Sequence, residues 1–214
     1  MSVQASVVLN TARTLLNDDG STLWTDVVLF PKLAQAHREL QTKLRFSAAP
    51  VMRAISVDIA VTTGAVTITN PADMMEPIRL WERAGSGGTV ADYATGLMTE
   101  SDPLPDRAAL ATLVNWQWSV ASPEVINFVA ASADRKVKLL YWRSLAIPTL
   151  NTDAIGFING ELYLAPRIAA IAASSVGNAA VAGWASGLAD GSLGEVILSN
   201  RGRLKPADGN TARP

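Results

Sequence analysis

Reactive side chains are sparse in this sequence. His37 is the only histidine, and the 214 residues include no cysteine. Thiolate nucleophiles, disulfides and cysteine-ligated zinc are therefore ruled out. A metal centre takes three or four ligands, and no second histidine exists to join His37. A serine nucleophile with His37 as its base would be flagged by a G-x-S-x-G elbow, and none occurs. His37 lies in "LWTDVVLFPKLAQAHRELQTKL", residues 23–44, where Leu33, Ala36, His37, Leu40 and Leu44 fall on one helical face. It is expected to be a helix-packing residue whose ring needs a hydrogen-bond partner once buried.

Four other stretches invite a chemical reading. Glu100, Asp102 and Asp106 cluster in "TESDPLPD", residues 99–106, where paired carboxylates working with His37 could do acid–base chemistry. Two prolines make that stretch a surface connection first. Asp18-Asp19-Gly20 is turn chemistry; a calcium loop would need alternating oxygen ligands and a distal glutamate, which are absent. "GSGGT", residues 85–89, lacks the spacing and lysine of a phosphate loop and reads as a loop tip. Lys136 and Lys138 share a strand face with Leu140 and Trp142. That pattern suits either a nucleic-acid platform or a half-exposed strand whose lysines discourage edge pairing. A net charge of −1 favours the strand. No catalytic, cofactor or metal residue is assigned.

Composition sets the remaining bounds. Apolar residues make up 49% and charged residues 17%, which suits a globular chain of one or two domains with modest exposed surface, or one whose surface is partly covered by partners. Near-neutral charge supplies no global attraction to nucleic acid or anionic membrane. The opening "MSVQASVVLN" has no basic region or long apolar run, so no secretory signal is read. Residues 168–189 are uncharged and long enough to span a bilayer. Their alanines, glycines and serines contribute little transfer free energy to hydrocarbon. A close-packed helix or helix pair is expected there, with no membrane partner.

The elements that must carry these residues follow from periodicity. Val8, Ala12, Leu15 and Leu16 predict a helix over 3–17. Thr25 is placed as a cap with Asp26 in the first turn, followed by a short turn at 26–30 and a longer helix starting at Pro31. Glu39 and Lys43 should pair at i, i+4. Ile55, Val57, Ile59 and Val61 alternate with polar residues, and Thr63-Gly64 then turns the chain into Val66 and Ile68, predicting a hairpin with one buried face. Strands follow around Ile78–Glu82, at Trp116 and Trp118, from Glu124 and from Arg135, the last with Val137, Leu139 and Tyr141 on one face. After a loop, Pro166 at a first helical position and Gly177 just past the end frame a helix. Val181, Trp184, Ala185 and Leu188 begin another, and Ser192-x-x-Glu195 reads as a capping box before Val196. The polar, basic stretch that closes the chain has no apolar period and should be extended or disordered in isolation.

The expected fold is α+β: a helical bundle from the N- and C-terminal helices, an inserted antiparallel β block and an extended C-terminal tail. The divisions fall at 1–50, 51–144, 145–199 and 200–214.

Two stretches carry a family resemblance. "LLNDDGSTLWTDVVLFPKLAQAHRELQ" and "NFVAASADRKVKLLYWRSL" resemble the head-to-tail adaptor, or connector, proteins of tailed bacteriophages. Trp24, Thr25 and Asp26 stand where that family opens a helix with a tryptophan–threonine–acid cap. Residues 126–131 and 137–143 match its later strand pair, except that Ala130 replaces the usual proline. The resemblance implies a structural virion protein of the neck, made in the host cytoplasm and not an enzyme. It implies a ring, commonly of twelve copies, between the portal protein and a tail or nozzle protein, with genomic DNA passing through unread. Arg201, Arg203, Leu204, Lys205 and Arg213 of the tail would dock on the portal, while Trp24, His37, Leu40 and Trp184 would pack subunits. The competing reading is a tail or baseplate binding module without portal contact.

Overall fold

A computed structural model describes residues 3–120 and 124–201. Helices and strands separate into two compact units, one made of the chain up to Met52 with the chain from Leu145 on, the other of Arg53–Ser144. The class is α+β, as the order of elements predicts.

The helical unit contains α1 (Ala5–Leu15), α2 (Asp26–Phe46), α3 (Glu161–Ser175) and α4 (Ala179–Asn200). α3 packs against all three others. It is therefore buried on almost every side, with Tyr163, Leu164, Ile168, Ala169 and Ala172 fully enclosed. Ala169, Ala170 and Ala185 meet where α3 crosses α4, with Leu15 and Leu16 against them, so the small residues do allow close approach. Among the described residues no helix is long and apolar enough to cross a membrane.

Two prolines lie deeper in their helices than their sequence positions suggest. α2 begins at Asp26 and runs through Pro31 without the expected turn. α3 begins at Glu161 and carries Pro166 internally, not at its first position. Each proline removes one helical donor, from the carbonyls of Val27 and Leu162 respectively. Val27 is 83% exposed, so water can serve its carbonyl. The Leu162 carbonyl has a protein donor instead, as Ser192 Oγ sits 2.7 Å away. Ser192 is thus no cap. It lies within the unbroken 22-residue α4, which begins at Ala179, so no new helix starts at Val196.

The α3–α4 junction follows from Gly177. Its φ of +76° suits glycine, and Gly177 N and Asn178 N donate to Ser174 O and Ala173 O, closing a Schellman motif. Asn178 then caps α4, its side chain accepting from Val181 N at 3.2 Å.

The β unit holds two four-stranded sheets. β1 (Arg53–Ile55), β2 (Ile59–Val61) and β4 (Met74–Ala84) all pair antiparallel with β8 (Arg135–Arg143). The second sheet runs β3 (Thr67–Ile68), β7 (Val125–Phe128), β6 (Asn115–Ser119), β5 (Thr99–Glu100), with β5 parallel to β6. Leu80, Val137, Leu139 and Tyr141 from one sheet pack with Trp116, Ile126 and Phe128 from the other.

Two strand expectations change. β2 and β3 belong to different sheets, so the chain crosses between sheets at Thr63-Gly64 and makes no hairpin. Between β1 and β2 the alternation also breaks. Ile55 and Val57 are 63% and 83% exposed, while Ser56 turns inward and accepts from Leu139 N at 2.9 Å. β8 is not an edge strand: it has partners on both sides, so its lysines cannot act by blocking edge pairing.

Candidate functional site

His37 is fully buried on α2. Its Nε2 donates to Ile155 O at 3.0 Å and its Nδ1 accepts from Gln41 Nε2 at 2.9 Å, the tautomer that satisfies both contacts. Gln41 also receives Leu145 N at 2.9 Å and reaches Leu145 O at 3.1 Å. Phe157 packs on the imidazole with ring centroids 4.8 Å apart. Burial pushes the His37 pKa below its usual value, and nearby Arg38 adds to this. A neutral ring with both nitrogens engaged and no exposed surface clasps α2 to the loop before α3. It offers no open pocket for acid–base chemistry.

The tryptophan–threonine–acid stretch forms a second clasp. Asp18 accepts from the backbone N–H groups of Trp24 and Leu23 at 2.7 and 3.1 Å, and the Trp24 contact leads those holding its carboxyl below the usual range. Arg13 Nε donates to Trp24 O at 2.8 Å. Asp26 pairs with Arg13 and accepts from Asn151 Nδ2 at 2.6 Å; the Asn151 bond, then Arg13, lowers its pKa. Thr25 occupies the N-cap position, but its side chain makes no cap. Arg13, Asn151 and Gln41 were not singled out from sequence. Gln41 carried a signal, one turn after His37 on the apolar face; Arg13 did too, beside Leu9 and Ala12 on the buried side of α1.

The expected Glu39–Lys43 pair is redirected. Glu39 accepts from Arg167 Nε at 2.6 Å, and Lys43 reaches Asp190 at 3.1 Å. Burial works against both charges, yet these partners outweigh it: Glu39 titrates below its usual range and Lys43 above. Together with Thr42 the four groups line a cleft of about 410 Å³ on the helical unit. Each charge in it already faces an opposite one, so the cleft joins helices and has no spare charge for a ligand.

In the β unit, Lys138 and Arg83 flank Tyr93 at 4.9 and 5.4 Å from its ring centre and share Asp58, at 3.6 and 2.6 Å. The basic–aromatic face of β8 is thus tied down by its own neighbours. The 99–106 acids do not converge: Glu100 is an exposed residue of β5, and Asp102 accepts from Gln117 at 2.5 Å. Among the described residues no three metal-ligating side chains cluster.

Of the residues expected at subunit contacts, Trp24, His37 and Leu40 are enclosed within the protomer, while Trp184 on α4 is 53% exposed. Arg201 is exposed at the end of α4. Arg203, Leu204, Lys205 and Arg213 lie outside the described residues.

These arrangements hold together the helices of one unit and the strands of the other, and the sequence matches the SU10 adaptor protein family over residues 4–212. The chain belongs to the SU10 adaptor protein family. As a member it is a phage structural adaptor, a virion protein that works by contact with other virion proteins. A comparison with curated proteins gives no match. The tryptophan–threonine–acid stretch of this adaptor holds the first turn of α2 to α1 and to Asn151.

Proposed function

We propose that this SU10 adaptor is a ring-forming head-to-tail connector, seated between the portal and the tail, with DNA passing through its lumen. The observation that carries the reading is the family match over almost the whole chain. Three features support it. The helices are held by internal clasps, as a part that must bear load in an assembly requires. Net charge is −1, so a duplex meets little counterion-releasing attraction and can slide. Arg201 and the basic residues after it, Arg203, Lys205 and Arg213, supply charge-assisted donors for carboxylates or main-chain oxygens on the portal, with Leu204 among them as an apolar contact.

Electron microscopy of the purified chain mixed with its portal protein, beside the chain alone, tests this. A ring of copies, twelve or near it, added below the portal is the expected result. Lack of association, or a six-fold or three-fold particle without portal affinity, rejects the connector reading and favours a tail or baseplate module.

A further inference from the structure

Among the described residues the outer face of α4 has no partner inside the protomer. Ala185, Ala189 and Val196 face inward and are buried, whereas Trp184, Leu188 and Leu198 are 53%, 43% and 68% exposed. Helical spacing puts Gly187 and Gly194 on the side directly away from that buried stripe, with Gly183 and Gly191 flanking it. A Cβ built at any of the four meets nothing within 4 Å. Glycine costs roughly 0.5–1 kcal/mol relative to alanine inside a helix, and among the described residues no close approach within the protomer accounts for it.

Charge indicates what covers this face. α4 carries two charged residues; Asp190 pairs with Lys43 inside the protomer, which leaves Glu195, and a second α4 would set Glu195 against its own copy. The charge that α2 turns outward is the opposite one, Arg38, which is exposed. The outward stripe of α2 is Val28, Pro31, Gln35, Arg38, Thr42 and Phe46, all exposed. Steps of three or four residues keep these positions on one face of the helix. Val28 to Phe46 and Ala180 to Leu198 each rise about 27 Å at 1.5 Å per residue, so the two stripes match in length.

We propose that the outer face of α4 docks the outer stripe of α2 from a second copy, with Arg38 beside Glu195. The inference rests on the ring reading above and names its subunit contact. In the ring each copy gives its α4 face to one neighbour and its α2 stripe to the other, a heterologous contact that adds copies head to tail until the ring closes; a closed two-fold dimer would instead stop the cross-linked ladder at dimers.

A chain without cysteine makes the test direct. Gln35 and Gly191 lie near the middle of their stripes, so either helix direction brings them together. The full-length Gln35→Cys/Gly191→Cys variant, oxidised at high concentration alone and again with portal protein, should give a ladder of linked copies beyond dimers. Gly187→Met/Gly191→Met has open space in the protomer and should keep its helical circular dichroism and melting while self-association weakens at least ten-fold. No ladder under either condition, dimers from Gly191→Cys alone, or unchanged association of the Met variant overturns the proposal. A ladder without portal binding keeps this contact and removes the connector reading. Portal-bound rings without a ladder do the reverse.

Discussion

Ser192 Oγ on α4 lies 2.7 Å from the Leu162 carbonyl on α3, the oxygen that Pro166 deprives of its helical donor. The same hydroxyl is 2.9 Å from Ala189 O on its own helix. Its single proton therefore bridges helices only because Pro166 leaves an acceptor open. The two residues are 26 positions apart in sequence, and neither alone signals the contact.

Ser192→Ala is expected to cost about 1 kcal/mol, a lost hydrogen bond partly offset by better helix propensity. In a Pro166→Ala background, where the helix supplies its own donor, the cost should fall toward zero. Urea unfolding of the four proteins measures this coupling. Strictly additive effects would mean that the hydroxyl does not serve the Leu162 carbonyl.

His37 predicts a pH dependence. Its pKa in the folded chain lies below the ordinary value of 6.5, so the unfolded chain binds the extra proton first. The stability it protects is complete above pH 6.5 and declines as pH falls toward the folded pKa. No other histidine titrates in that window. Denaturant midpoints taken between pH 7 and pH 5.5 should slope downward for the natural chain and less steeply for His37→Gln. Equal slopes would assign the effect elsewhere.

Asp26 should matter through Arg13. The Arg13 side chain is 7% exposed and the Asp26 side chain 40%, so removing the acid strands an enclosed guanidinium. Asp26→Ala should destabilise by about 1–2 kcal/mol, discounted for the solvent that reaches Asp26. Arg13→Leu/Asp26→Ala should recover part of the loss in thermal melts. No recovery would point to the Asn151 bond as the larger contribution.

The tail can be separated from the fold only at the right bond. Asn200 is 4% exposed, with Nδ2 at 2.8 Å from Ile158 O and Oδ1 accepting from Ile158 N at 3.1 Å. A cut after Leu198 removes this clasp and should lower stability by about 1–3 kcal/mol. A cut after Arg201 should leave the melting temperature unchanged while abolishing portal binding. Portal binding by the chain cut after Arg201 would reject the later tail residues as docking contacts.

Much of the fold is legible in the chain itself. The apolar stripe of α2, with Leu33, Ala36, His37, Leu40 and Leu44 all buried, follows from 3.6-residue periodicity, and the inward face of β8 follows from strict alternation. Gly177 ended its helix as expected because a left-handed residue there closes a Schellman motif. Reading failed where a local signal was overridden from a distance. Pro31 and Pro166 look like first-turn residues, yet Val27 is open to solvent and the Ser192 hydroxyl reaches Leu162 O, so neither freed carbonyl is stranded. Val57 looks inward, but Ser56 finds Leu139 N and takes its place.

Sequence alone determined the absence of thiol and multi-histidine chemistry, the α+β order and the buried position of His37, because composition and period are local properties. Tertiary structure decided which partners the polar groups take: Gln41 and Ile155 for His37, Arg167 for Glu39, Asp190 for Lys43, Ser192 for Leu162. Such choices depend on groups brought together across as many as 147 residues. No short-range pattern encodes them, since the energy that selects a partner exists only after the helices have packed.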